Sequence, residues 1–178
     1  MNTLQRNSES FYFPIRESPI FDSLVFYSLN KEPYVEYYSF GMKLIPREVL
    51  FQDPFLLSLF SIHPFDGAIL LIPKLSIYNW HIDDRRGASV NMLISDTDSH
   101  CIFVEGGFKM VNNIQELSYK PRTYYFFNSQ EHHSVINTKS DRYLFSIEFL
   151  EDKSSLSYRQ LISEYQSGLF GTWMLHSW

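Results

Sequence analysis

Apolar residues alternate with polar ones through most of the chain's second half, instead of recurring at every third or fourth position. Successive side chains of a strand point to opposite faces, so this period predicts β-structure. The runs fall at Ala68–Pro73, Tyr78–Asp83, Ser89–Ser95, Cys101–Glu105, Phe108–Val111, Thr123–Phe127, Ser134–Asn137 and Tyr143–Leu150. Gly106 and Gly107 are a hairpin signal between two of them. Two further strands are predicted at Leu24–Leu29 and Tyr34–Phe40, with Asn30–Pro33 as the turn. Residues 1–22 read as irregular, because Pro14 and Pro19 interrupt any regular element.

Two stretches break the strand pattern. Asp53 is a suitable N-cap and Pro54 suits a first helical position, where its missing N–H is not needed. Phe55, Leu56, Leu57, Leu59, Phe60 and Ile62 then make a helix apolar on nearly every side, hence a buried one, ended by His63 and Pro64. Near the end, Ser155 or Ser157 caps a helix with Tyr158, Leu161, Ile162 and Tyr165 on one stripe and Gly168 as its stop. The apolar tail Trp173–Trp178 docks on the barrel or offers a contact to a partner, and a homodimer is the expected form of such a contact. Many short strands with frequent turns predict one mainly β domain over residues 1–178, closed or sandwiched. Its parts are an N-terminal cover (1–67), a barrel core (68–150), and a C-terminal helix with the tail (151–178).

Composition narrows the classes. The chain is 44% hydrophobic and 20% charged, which suits an ordered globular protein. Aromatics at 17% favour strands. A net charge of -5 disfavours a nucleic-acid partner. Cys101 is the only cysteine, which excludes an intrachain disulfide and a thiolate metal cluster. The longest strongly apolar run, Gly67–Pro73, is too short to span a bilayer, and the polar opening residues do not read as a signal peptide. The expected location is cytoplasmic, with no membrane partner.

Chemistry concentrates at two places. In an extended Tyr78–Asp83, His81 and Asp83 share a face, giving an imidazole and a carboxylate of a 2-His-1-carboxylate metal triad. The alternative is a surface loop in which Asp83 pairs with Arg85 or Arg86. His133, at the start of a later strand, is the candidate third ligand, with His132 its rival on the opposite face. In Arg142–Phe149, Tyr143, Phe145, Ile147 and Phe149 form an apolar face, which would pack under helices. Arg142 and Ser146 then point into the barrel, where an inward arginine needs an anion such as a small carboxylate. The alternative is a surface Arg142 paired with Asp141 or Glu148.

The order His81-x-Asp83, Arg86, Asn91, Tyr124–Asn128, His133–Asn137, Arg142 resembles the Fe(II)/2-oxoglutarate-dependent dioxygenases over roughly residues 68–150. Within them it is similar to small members related to the aspartyl/asparaginyl β-hydroxylase-like and phage-type hydroxylases. The resemblance implies a double-stranded β-helix, the jelly roll or cupin barrel, with Fe(II) on His81, Asp83 and His133. It implies 2-oxoglutarate held by Arg142 and Ser146, with Arg86, Asn91 and Asn128 as further polar groups of the pocket. It also implies O2 as oxidant and hydroxylation of a C–H bond in a small-molecule or side-chain substrate, with release of succinate and CO2. Two departures stand out. Leu144 lies where many relatives carry a hydroxyl, two residues after the arginine. Asp83 is present where the aspartyl/asparaginyl β-hydroxylases proper lack a carboxylate ligand. The competing readings are a cupin that binds small molecules without this chemistry, and a structural or interaction protein.

Overall fold

Two antiparallel sheets face each other in the computed structural model, which describes residues 10–95, 98–105 and 111–171. In chain order the elements are β1 (Tyr12–Glu17), α1 (Phe21–Leu29), β2 (Val35–Tyr37), β3 (Phe40–Leu44), α2 (Arg47–Leu50), α3 (Pro54–Ile62), β4 (Phe65–Ile72), β5 (Ser76–His81), β6 (Ser89–Leu93), β7 (Ser99–Glu105), β8 (Asn113–Glu116), β9 (Thr123–Phe127), β10 (His132–Asn137), β11 (Arg142–Phe149) and α4 (Tyr158–Gln166). The larger sheet runs β1-β9-β6-β11-β4-β3-β2 and the smaller β5-β10-β7-β8. This is the double-stranded β-helix. The larger sheet takes three strands from before residue 68.

The alternation of side chains sorts the core into two layers. Val90, Met92, Tyr124, Phe126, Phe145, Ile147 and Phe149 point outward and pack with Leu24, Phe55, Leu59 and Leu161 of the helices. The intervening Tyr125 and Phe127 point inward, where they meet Cys101, Phe103 and Val135 of the smaller sheet. Arg142, Leu144 and Ser146 belong to this inward face, and all three are buried.

Several expectations change. Leu24–Leu29 is part of helix α1, not a strand. Leu24 and Ser28 are buried and Phe26 is 76% exposed, a helical period hidden in β-favouring residues. Residues 12–17 form a strand despite Pro14, since β1 is a sheet edge with a register shift after Pro14. Tyr34–Phe40 is broken by a left-handed residue, Tyr38 (φ 54), into the hairpin β2–β3. Asp53 caps α3 by accepting from the Phe55 N–H at 2.9 Å, and Ser157, rather than Ser155, caps α4. Gly168 follows α4 at φ 79. The Gly106-Gly107 turn, most of Phe108–Val111, and the tail lie outside the described residues. No helix among the described residues is long and apolar enough to cross a membrane.

Candidate metal centre

His81 and His133 are far apart in sequence but are direct partners across the β5–β10 ladder, so their side chains share a face. Their ring centroids lie 4.2 Å apart. β5 ends at His81, so Asp83 sits in the following loop and not in an extended strand. That loop is fastened to the turn before β10. The Asp83 N–H donates to the Ser129 carbonyl at 2.9 Å, Ser129 Oγ donates to the Arg86 carbonyl, and the Gln130 amide donates to the carbonyls of Asp83 and Arg86. Donor atoms of His81, Asp83 and His133 consequently lie within 4.8 Å of one another; His132 is outside this group.

Each histidine bonds a backbone carbonyl two residues earlier: His81 Nδ1 to Asn79 at 2.7 Å and His133 Nδ1 to Glu131 at 2.9 Å. A carbonyl only accepts, so each Nδ1 carries a proton and each Nε2 is the nitrogen left for a ligating role. His81 Nε2 faces Asp83 Oδ1 at 3.6 Å. Burial, and next the neighbouring His81, push the His133 imidazole down to about 4. It is therefore neutral at ordinary pH, the ligating form. Phe103 and Phe127 pack on His133, and Tyr78 on His81, holding both rings. Two imidazoles and one carboxylate are a donor set that fits Fe(II).

Beyond these groups a pocket of about 60 Å³ runs inward to Arg142, and an open groove of about 630 Å³ leads outward. The two share His81, Asp83, Arg86 and Ser146. Arg142 is 1% exposed and donates to Ser99 Oγ at 2.6 Å, but its Nε and second terminal nitrogen have no hydrogen-bond partner among the described residues. The Tyr119 hydroxyl is likewise unmet, and the guanidinium lies 5.4 Å from that ring's centroid. Burial and no pairing anion make this an expensive place for a cation. An incoming carboxylate would supply what Arg142 lacks.

Ser146 and Asn91 are cross-strand partners and both line the pocket, with Asn91 Oδ1 unmet. Arg86 lines both cavities, as expected, but it also makes the pairing with Asp83 that the surface-loop alternative named. Its guanidinium is taken by Asp83 Oδ2 at 2.8 Å, so it orients a candidate ligand instead of waiting for an anion. Asn128 is not in the pocket. Its amide donates to the Ser10 carbonyl and its oxygen accepts from the Gln130 N–H, which makes it a turn residue. Tyr119, Ser99, Ser129 and Gln130 had no sequence signal beyond their neighbours' motifs. His63, which ends α3, is buried between Glu151 and Glu164 at 2.8 and 2.7 Å.

No family model matches the sequence, and no curated protein matches it. Solved structures do share its fold. A 2OG-Fe(II) oxygenase family oxidoreductase from Burkholderia pseudomallei aligns over 87% of this chain and 90% of its own, at 11% identity and TM-score 0.58. A Trichoplax adhaerens prolyl hydroxylase, solved with a hypoxia inducible factor peptide fragment, aligns over 90% and 97%, at 12% identity and TM-score 0.57. HygX from Streptomyces hygroscopicus, solved with nickel and 2-oxoglutarate, aligns over 83% and 86%, at 12% identity and TM-score 0.58. The likeness establishes a fold shared with 2-oxoglutarate/Fe(II) oxygenases, the superfamily the sequence resembles.

Proposed function

We propose that this protein is an Fe(II)- and 2-oxoglutarate-dependent oxygenase that hydroxylates a C–H bond of a small-molecule or side-chain substrate. The observation that carries the reading is Arg142, a buried cation with unmet donors at the closed end of a pocket whose other end holds His81, Asp83 and His133. His81 Nε2, His133 Nε2 and Asp83 Oδ1 would hold the metal, and Arg142 with Tyr119 and Ser146 would hold the far carboxylate of the cosubstrate. When bound, Fe(II) with 2-oxoglutarate and O2 supplies the oxidising equivalents, one oxygen atom entering the substrate and the other the succinate, with CO2 released. Arg86 keeps one oxygen of Asp83 occupied and so presents the other to the metal. Phe103, Phe127 and Val135 keep bulk water from the inner pocket. The open groove admits the substrate beside His81 and Asp83.

The test is an anaerobic titration with Fe(II) and then 2-oxoglutarate, monitored in the visible range. A weak charge-transfer band that requires both additions and vanishes in His81→Ala is the expected result. Iron binding without the band would move the reading to a cupin that uses metal without 2-oxoglutarate. No iron binding would leave a β-barrel with a binding or structural role.

A further inference from the structure

We propose that the mouth of the groove selects a substrate bearing a cationic amino or guanidino group beside an apolar body. The inference rests on the oxygenase reading only for taking this groove as the substrate's place.

The inner face of β11 runs Arg142, Leu144, Ser146, Glu148, from the closed end to the mouth. Unmet donors lie at the closed end, on Arg142 and Tyr119. Unmet acceptors lie further out. Asn91 Oδ1, 5% exposed at the residue level and without a partner, sits beside Ser146. One further cross-strand step outward, Glu148 stands directly opposite Asp66 of β4, and both line the groove. Like charges directly opposite on one sheet face repel. Asp66 has a partial remedy in Arg47 at 3.6 Å on the exposed rim, whereas no hydrogen bond or ion pair reaches Glu148 among the described residues. Arg86 is committed to Asp83, and Arg85, exposed on the same groove, makes no ion pair with either carboxylate among the described residues. A cation from outside is what the Glu148 carboxylate lacks.

The rest of the groove's lining is rich in aromatics. Tyr38, Tyr37, Phe40, Tyr78 and His81 follow one another with centroid separations of 4.7, 5.6, 5.3 and 4.3 Å, a file from the tip of the β2–β3 hairpin to the metal centre. The Tyr37 hydroxyl is pushed up by burial and next by the Glu148 carboxylate, so the aromatic file starts within electrostatic reach of that carboxylate. A cation between carboxylates and ring faces gains from both. An alkyl segment along the rings would carry the rest of the molecule inward to His81 and Asp83.

The experiment is calorimetric titration of the full chain, at low salt, with N-acetyl-lysine methylamide, its neutral norleucine counterpart and its anionic glutamate counterpart. The lysine probe is expected to bind about tenfold more tightly than the norleucine probe. Glu148→Gln should bring the two within about twofold, and Glu148→Lys should favour the glutamate probe. Both variants remove a like-charge contact, so both should fold at least as stably as the parent, which thermal melting checks. Equal binding of the lysine and norleucine probes, no binding of the lysine probe at millimolar concentration, or a preference that survives both substitutions overturns the inference. A parallel 2-oxoglutarate titration separates the two readings. A charge preference that depends on Glu148, in a protein that fails to bind 2-oxoglutarate, sinks the oxygenase reading and leaves the groove's selectivity standing.

Discussion

At the scale of single residues, Arg142 is a cation held where the bare protein has little use for it. It is 1% exposed and two of its nitrogens are unmet. Replacing an uncompensated buried charge by an apolar group of similar length tends to be neutral or stabilising. Arg142→Met should therefore leave the thermal midpoint of the ligand-free protein unchanged or raised. The same change should weaken 2-oxoglutarate binding at least about thirtyfold, the lower end (~2 kcal/mol) for removing one partner of a buried charged pair. Calorimetry on the two proteins reads both effects, and a destabilised variant with unaltered binding would contradict this assignment. The histidines give a second test. His81→Ala and His133→Ala should each lose Fe(II) in the titration, whereas His132→Ala, outside the donor group, should keep it. Equal loss in all three would mean misfolding or a wrong ligand. Asp53 gives a third. It is fully buried, its Oδ1 caps α3, and burial raises its pKa. Asp53→Ala should cost about 1 kcal/mol for the lost cap, and Asp53→Asn should keep the cap. A raised folded-state pKa means the aspartate contributes fully at low pH and loses that contribution as pH rises through it. The asparagine variant should therefore gain on the parent as pH increases, measured as denaturant midpoints at acid and neutral pH.

Among the elements, the segment that carries Asp83 depends on a close approach at Gly87. A Cβ there would come within 2.2 Å of the Leu156 carbonyl oxygen, and Lys153 N–H donates to the Arg85 carbonyl at 3.2 Å. The chain leading into α4 thus presses on the loop that positions Asp83 and Arg86. Gly87→Ala should cost about 1–3 kcal/mol through overpacking. It should also lower metal affinity more than a remote substitution of equal stability cost, which melting and metal titration together decide. That dependence was invisible in the sequence, because it joins residues far apart whose only signal is a glycine. What was legible followed a strict period. β11 alternates so regularly that Arg142 and Ser146 could be assigned to the barrel interior. The Asp53-Pro54 start of α3 was legible because capping is local chemistry. The helix α1 was not, since Leu24–Leu29 is rich in β-favouring residues and its helical face appears only when Leu24 and Ser28 find the helical layer. Tyr119 and Ser99 were not legible either. Their place beside Arg142 comes from how β7 and the chain before β9 cross, not from any motif.

For the whole molecule, the candidate site is a clasp between the two sheets. His81 and His133 belong to the smaller sheet, Arg142 and Ser146 to the larger, and Asp83 to a loop tied to both β10 and the approach to α4. A metal and dicarboxylate bound together would connect the sheets through groups that the bare protein leaves unmet, so binding should register as global stability. At about 100 times the dissociation constant a ligand that binds only the folded state adds ~2.7 kcal/mol. For a chain of 178 residues this corresponds to a rise in thermal midpoint of about 5–10 °C. Mn(II), a redox-quiet stand-in, should produce part of the rise and 2-oxoglutarate the remainder, with a chelator reversing both. Arg142→Met should retain the metal's share and lose the cosubstrate's, and His81→Ala should lose both. A cosubstrate shift that persists without metal would place the dicarboxylate on Arg142 alone and argue for a binding protein. A metal shift with no further response to 2-oxoglutarate would keep the centre but give the inner pocket to another anion. Only the stepwise rise, with each step removed by its own substitution, requires both ends of the cavity to act on one chelated pair.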